Sequence, residues 1–180
     1  MFTQFQYKNL IREKYDHQSF IYDELYGEEQ RRKYRTIRLE LYLKDPVLDC
    51  GCGTGLLLET IKNLKLQIVR LDLSDKMLMK AKRKNLGHNI HFVQADAAHL
   101  PFVEKTFGTI CAYTVADHNQ LSTLLGQLSE SLRSGGMFIF SFLKKSVDKE
   151  DITRQIEDNR LKIIEIIDGI QDYIVLCRKG

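Results

Sequence analysis

The chain has 180 residues, enough for one domain that buries roughly 70% of the surface its unfolded form would expose. Apolar residues make up 43% and charged residues 28%, a globular balance that excludes disorder and collagen-like structure. The net charge of +3 is too small to argue for nucleic-acid binding by itself.

No stretch approaches the ~20 apolar residues that span a bilayer. The opening MFTQFQYKNLIREKY has no apolar run and no small-residue cleavage site, so export by a signal peptide is not expected. Cys50, Cys52, Cys111 and Cys177 form no CxxC pair and no histidine cluster joins them. No metal site is expected, and four plain thiols suit a reducing cytoplasm. Between 62 and 84 basic residues crowd together: Lys62, Lys65, Arg70, Lys76, Lys80, Lys82, Arg83 and Lys84 stand against only Asp72 and Asp75. This reads as a solvated helix face, with a phosphate-contacting surface as the alternative.

In chain order, residues 1–45 read as a helical segment. Tyr34, Ile37 and Leu41 recur at three- and four-residue steps, and Pro46 ends the pattern. From 46 to 180 the chain alternates. PVLDC is a short apolar run, LLLETIKNL a helix, QIVRLDL a strand, and DKMLMKAKRKNLG a helix closed by Gly87. NIHFVQAD and FGTICAYTV are the third and fourth strands. Leu121, Leu124, Leu125, Leu128 and Leu132 line one face of a helix, and GGMFIFSFL is the fifth strand. A short helix around 150–159 leads into LKIIEIID and DYIVLCRK, joined by a turn near Gly169. Alternation of this kind predicts an α/β fold: one Rossmann-like, doubly wound, mostly parallel seven-stranded sheet, closed by an antiparallel C-terminal hairpin and preceded by an N-terminal helical cap. Such a sheet binds ligands outside the carboxyl ends of its strands, beside the first strand.

VLDCGCGTG, residues 47–55, stands between the first strand and its helix. Gly51, Gly53 and Gly55 permit a sharp turn and close approach to a ligand, and the helix start behind them suits an anion. Three carboxylates sharpen the reading. Asp49 precedes the loop, where it would repel a phosphate and suit an amine. Asp72 ends the second strand, where an acid can accept both hydroxyls of a ribose. Asp96 ends the third, where it can hold the exocyclic amine of a base. A ligand with a ribose, an adenine amine, an ammonium and a carboxylate, and no phosphate, satisfies all three; S-adenosylmethionine is that ligand. A Walker loop needs Gly-Lys-Ser/Thr and a dinucleotide fingerprint needs Gly or Ala at 56; the chain has Leu56.

At these residues the sequence resembles the class I S-adenosylmethionine-dependent methyltransferases, nearest to the subset with ubiquinone/menaquinone-pathway enzymes and many small methyltransferases. VLDCGCGTG resembles the first family motif, LDLSDKML (71–78) the second, VQADAAHLPF (93–102) the third, and LRSGGMFIF (132–140) the turn into the fifth strand. YDHQSFIYDELY (15–26) is similar to a paired Tyr-Asp pattern ahead of the fold. The resemblance implies that Asp49 with the backbone of Gly51 and Gly53 holds the methionine end. It implies that Asp72 holds the ribose, that Leu73 and Met77 line the adenine, and that Asp96 takes the adenine amine beside the Ala97 N–H. Tyr113 and Thr114 would border the methyl-donor sulfur. Tyr22 would close over the methionine carboxylate, with simple helix packing as its alternative; Met77 is equally placed to be ordinary core. One position departs from the family: it commonly reads Phe-Asp where this chain has Phe107-Gly108.

The donor methyl group is already activated, so the protein mainly supplies alignment, and a base only for acceptors such as hydroxyls or acidic carbons. His118, just past the fourth strand, is the candidate catalytic base; its alternative is a solvent-facing loop histidine. The chain lacks the Asn/Asp-Pro-Pro-Tyr/Phe ending of enzymes that methylate amide or base-ring amino nitrogens. The reading is therefore a cytoplasmic methyltransferase converting S-adenosylmethionine to S-adenosylhomocysteine, with a small metabolite as acceptor. The alternatives are an RNA or protein methyltransferase that needs a partner, and a non-catalytic cofactor-binding subunit. Connections after the fourth and fifth strands are short, so any cover over the site must come from the N-terminal helices or from a partner.

Overall fold

Apolar runs flanked by turn residues become strands here because helices cover both faces of the sheet. The structure, a computed structural model, describes residues 3–61, 65–84, 87, 89–115, 118–146 and 148–180, without the side chains of 4 and 118–120. β1 (Val47–Cys50) is central, with β2 (Ile68–Asp72) and then β3 (Ile90–Gln94) on one side. β4 (Phe107–Tyr113) and β5 (Leu132–Leu143) lie on the other, and these five strands are parallel. β7 (Asp172–Lys179) runs antiparallel between β5 and the edge strand β6 (Leu161–Asp168). The order β3-β2-β1-β4-β5-β7-β6 is the mostly parallel seven-stranded sheet with a terminal hairpin that the alternation predicts. Strand order reverses between β1 and β4, and that switch point opens a crevice at the carboxyl ends of the strands.

From Met137 to Phe142, β5 is apolar at every position but Ser141, because both of its faces are buried there. Phe138, Phe140 and Phe142 join the core built with Leu121, Leu125 and Leu128 of α5 (His118–Ser131), where Ile152 and Ile156 of α6 (Lys149–Asp158) also pack. Met137 and Ile139 join the opposite core with Tyr34, Ile37 and Leu57. That second core is covered by α2 (Tyr22–Thr36) and by the short α3 (Leu57–Thr60). α1 (Gln4–Gln18) begins at a capping box, Thr3 with Gln6, and packs against α4 (Asp75–Lys84).

Three elements differ from expectation. The helix expected from LLLETIKNL is four residues long as described, and positions 62–64 lie outside the described residues, as do 85–86 and His88. α5 stops at Ser131, and Leu132 opens β5 beside Phe107. A buried leucine four residues after Leu128 fits either a last helical turn or a first strand residue, so spacing alone does not separate them. α2 ends at Thr36; Ile37 is extended, Leu39–Leu41 form a 3-10 turn, and Leu41 is 63% exposed rather than on the buried stripe.

The reason for this early ending lies in the segment that follows. Lys44 N donates to Thr109 Oγ1 (2.7 Å), Thr109 Oγ1 donates to the Tyr42 carbonyl (3.3 Å), and Gly108 N donates to the Pro46 carbonyl (2.9 Å). The chain must cross the start of β4 before entering β1. Gly108 is the crossing point: a Cβ there would lie 2.6 Å from the Lys44 carbonyl oxygen and 2.7 Å from that of Asp45. The departure from the family's Phe-Asp thus has a steric cause. Gly108→Asp should lower stability by about 2 kcal/mol, because backbone rather than a flexible side chain must give way; an unchanged urea midpoint would contradict this packing.

Candidate functional site

The crevice holds a cavity of about 350 Å³, within the roughly 300–1,000 Å³ usual for small-molecule sites. Its floor comes from the strand ends. Gly51 and Gly53 follow β1; Asp72 ends β2 and Leu73 follows it; Ala95, Asp96 and Ala97 follow β3; Tyr113 ends β4 and Thr114 follows it. Met77 of α4 closes one wall. The roof comes from α1 and α2, with Tyr7, Lys8, Ile11, Lys14 and Tyr15 on one helical face and Tyr22 beyond the break. The N-terminal helices thus supply a cover.

Gly53 has a left-handed backbone, with φ of 53°. A Cβ there would meet nothing within 4 Å, so at this residue the loop is fixed by a hydrogen bond and not by a close neighbour. Asp72 Oδ2 accepts from Gly53 N (2.8 Å), and Oδ1 accepts from Ser74 N (2.9 Å). Asp72 is 9% exposed. Burial raises its pKa to about 6, against the opposing pull of the Ser74, Gly53 and Leu73 N–H groups, while Asp16 adds to the rise. Each oxygen keeps further acceptor capacity toward the cavity.

Asp96 differs. Partial burial would raise its pKa, but the Lys8 ammonium on Oδ1 (2.8 Å), the Ala98 N–H (2.9 Å) and the His99 Nδ1 beside Oδ2 (3.3 Å) outweigh burial and hold it below the usual range. Lys8 belongs to α1, so the roof is pinned to this carboxylate.

Asp49 is not on the cavity wall. Its side chain is buried behind the loop, with Oδ2 3.5 Å from Arg70 Nε and without a hydrogen-bond partner among the described residues. Burial raises its pKa to about 6; Arg70 opposes that and Asp72 reinforces it.

Tyr113 presents its ring to the cavity and packs edge-on against Tyr34 (4.9 Å). Its hydroxyl is buried and finds no partner among the described residues. Thr114, a β-branched residue, has φ of 55°, a strained conformation of the kind that gathers at functional sites. It is held by its N–H to the Ser141 carbonyl (3.0 Å), by Ser141 Oγ (3.1 Å) and by Lys33 Nζ (3.3 Å). Lys33 is itself buried and pairs with Asp172 and with Glu29 (2.9 Å). Tyr22 lines the cavity against Tyr26, and burial raises its pKa, with Tyr15 and Asp72 adding to the rise. His118 is the first residue of α5, past the end of β4; its side chain, like Asp117, lies outside the described residues.

Sequence reading missed the ties that hold the roof. Asp16 accepts from Ser74 Oγ, and Asp23 pairs with Thr54 Oγ1 and Lys84 Nζ. The Tyr-Asp pairs divide their work: Tyr15 and Tyr22 line the cavity, while Asp16 and Asp23 fasten the helices to the body. The spacing of the two pairs was the available signal. The basic stretch also reads differently. Arg70 is fully buried and is no part of a helix face. Lys80 lies over Phe20 (5.5 Å), Lys82 over Phe92 (5.6 Å), and Lys84 also reaches Glu59 (3.7 Å).

With this geometry in place, comparison with known proteins is informative. Residues 47–136, half of the chain, match the methyltransferase domain family. The chain belongs to that family, and specifically to the class I S-adenosylmethionine-dependent methyltransferases. It is 36% identical over 134 residues to the uncharacterized protein MJ1252 of Methanocaldococcus jannaschii, covering 73% of this chain and 51% of that protein. It is 34% identical over 109 residues to the malonyl-[acyl-carrier protein] O-methyltransferase of Hamiltonella defensa, covering 59% and 41%. The chain thus spans about half the length, or less, of these curated relatives. Its fold matches magnesium protoporphyrin IX methyltransferase (ChlM) of Synechocystis, solved with bound SAH, with a TM-score of 0.80 at 19% identity over 96% of this chain and 99% of that one. No helix among the described residues is long and apolar enough to cross a membrane.

The raised carboxyl pKa values have a consequence for stability. For Asp72 and Asp49 the folded value, about 6, lies above the ordinary 3.8. The folded state therefore holds protons that the unfolded state releases, and stability falls as pH rises from about 4 to about 6. Asp72→Asn removes one such group. Its melting temperature relative to wild type should move in the variant's favour across that window and stay level above pH 7. A constant difference across the window would contradict the buried carboxylate.

Proposed function

We propose that this chain is a methyltransferase that takes its methyl group from S-adenosylmethionine and passes it to a small-molecule acceptor, with residues 1–45 as the cap over the site and 46–180 as the binding domain. The observation that carries the reading is the pair of carboxylates, Asp72 and Asp96, on neighbouring strand ends in one crevice with the glycine loop. The residues fit this cofactor. Asp72 retains acceptor capacity for ribose hydroxyls. Asp96, held ionised, suits an exocyclic amine beside the Ala97 N–H, and Leu73 and Met77 give an apolar slot for the ring. Gly51 and Gly53 offer backbone to the methionine end, with Asp49 as counter-charge from the layer behind. Thr114 borders the sulfur, and Tyr22 covers the carboxylate.

When bound, the cofactor supplies an activated methyl group. The chain's own part is to exclude water and align the acceptor. Tyr7, Ile11 and Tyr15 cover the cavity, and Thr114 is fixed in its strained conformation at the end nearest the acceptor. His118 is the candidate base, at the start of α5. A covered cavity favours a small acceptor, and the internal engagement of Lys80, Lys82 and Lys84 leaves less of the basic helix for RNA. Oxygen is the favoured acceptor atom, in keeping with the malonyl-[acyl-carrier protein] O-methyltransferase relative. Four buried thiols suit residence in a reducing cytoplasm.

Titration calorimetry should show micromolar binding of S-adenosylhomocysteine and no heat from NADH or ATP. Asp72→Ala should weaken that binding by about 1–3 kcal/mol, the loss expected when buried hydroxyls are stranded. Folded wild-type protein that gives no heat with S-adenosylhomocysteine would overturn the proposal. Labelled donor incubated with metabolite, RNA and protein pools then identifies the acceptor class; turnover only after addition of cell extract would reveal a required partner.

A further inference from the structure

We propose that Arg70 is a positioning residue of this site: acting through Asp49 and the Gly55 carbonyl, it sets how tightly the methionine end of the ligand is held and leaves the adenosine end alone. The inference rests on the cofactor reading above. Arg70 lies in the middle of β2 and is fully buried, in a position that arginine rarely occupies without partners. Strand register sets it between Asp49 of β1 and Phe92 of β3. The guanidinium lies over the Phe92 ring (5.9 Å), its Nη2 donates to the Gly55 carbonyl (2.9 Å), and its Nε is 3.5 Å from Asp49 Oδ2. The fit is tight enough to fix a neighbour: a Cβ on Gly55 would fall 2.4 Å from Arg70 Nη1. The glycine that ends the loop is thus shaped around the arginine.

Burial is the main influence raising the Asp49 pKa, and Arg70 is the main influence opposing it. Without the guanidinium, a fully buried carboxyl takes up a proton and ceases to attract an ammonium group. Asp72 and Asp96 hold their own partners on other elements, and neither bonds to Arg70. Loss of Arg70 should therefore be felt at one end of the ligand.

Two probes separate the ends. S-Adenosylhomocysteine carries the ammonium and carboxylate; 5′-methylthioadenosine keeps the adenosine and the thioether and lacks both. Arg70→Met should weaken the first by about tenfold or more, as for a buried charge stripped of its partner, and the second by less than about threefold. Arg70→Lys should fall between, since it keeps the charge and loses the fork. Because Arg70→Met strands a buried carboxylate and can unfold the protein, Asp49→Asn and the double variant, which carries neither buried charge, complete a cycle. Loss of S-adenosylhomocysteine affinity in the double variant should be smaller than the two single losses combined; if Arg70→Met does not fold, the double variant should bind within about threefold of Asp49→Asn, since the carboxylate whose charge Arg70 preserves is already gone and only the Gly55 contact remains to be lost. Equal losses for both probes, additive losses, or an unchanged affinity in Arg70→Met overturn the role of Arg70. Wild-type protein that binds neither probe overturns the cofactor reading and this inference with it.

Discussion

Asp72 joins the two outlets of the sheet that make the site. It ends β2, yet one oxygen takes the N–H of Gly53 on the loop after β1 and the other takes the N–H of Ser74 at the start of α4. A carboxylate this deeply buried is costly, and charge-assisted bonds to backbone donors offset part of that cost. The linkage extends outward. Ser74 Oγ accepts from Met77 N in the first turn of α4 and donates to Asp16 of α1. Loop, sheet, helix and roof are thus connected through one side chain and its neighbour, and the shape of the crevice depends on that carboxylate.

Most of the fold was legible because strands buried on both faces have a plain signature: short apolar runs ended by glycine or aspartate. VLDCGCGTG and LDLSD show where chain direction changes, so the switch point could be placed. What could not be read was the depth of each aspartate side chain. Asp49, Asp72 and Asp96 all look like strand-end acids in the sequence. Asp49, however, is one residue short of the end of β1, whereas Asp72 is the last residue of β2 and Asp96 lies two past the last residue of β3. Register places Asp49 opposite Arg70, on the same face of the sheet as Asp72 but one step deeper along it, so Asp49 meets Arg70 behind the loop while Asp72, at the strand end, reaches Gly53 and the cavity. Arg70 was misread for a related reason. Lys65, Lys76, Lys82, Arg83 and Lys84 around it in the chain are basic and exposed, but the rest of its own stretch, Ile68 to Leu71, is apolar. Local charge density described the stretch correctly and this residue wrongly.

The helical segment shows the same division between period and context. Tyr34 and Ile37 are buried as spacing predicts. Leu41 is not, because the chain has by then left the helix to cross β4 over Gly108. That crossing depends on contact between residues more than sixty positions apart, Lys44 with Thr109, and no local period reports it. The Tyr-Asp pairs are the opposite case. They stand on two different helices separated by a break, so their seven-residue spacing is a repetition of role: a ring toward the cavity and a carboxylate toward the body.

The interactions that hold the roof differ in kind from those that hold the body, and the difference bears on how a ligand enters. The sheet is clamped by two continuous apolar cores. α1 is tied down by polar links: Lys8 to Asp96, Asp16 to Ser74, and the contact of Lys80 with Phe20 just beyond the helix. Phe5, Leu10 and Phe20 on this segment face solvent. Partly exposed ion pairs contribute about 0–1 kcal/mol each, against roughly 1.5–3 kcal/mol for each large apolar side chain buried in the cores. Local opening follows the weakest part of a structure. α1 covers part of the cavity through such polar links, and the Asp72 linkage to the glycine loop does not depend on them. The ties of the cover are thus separate from those of the floor, and losing them would disturb the floor of the cavity least.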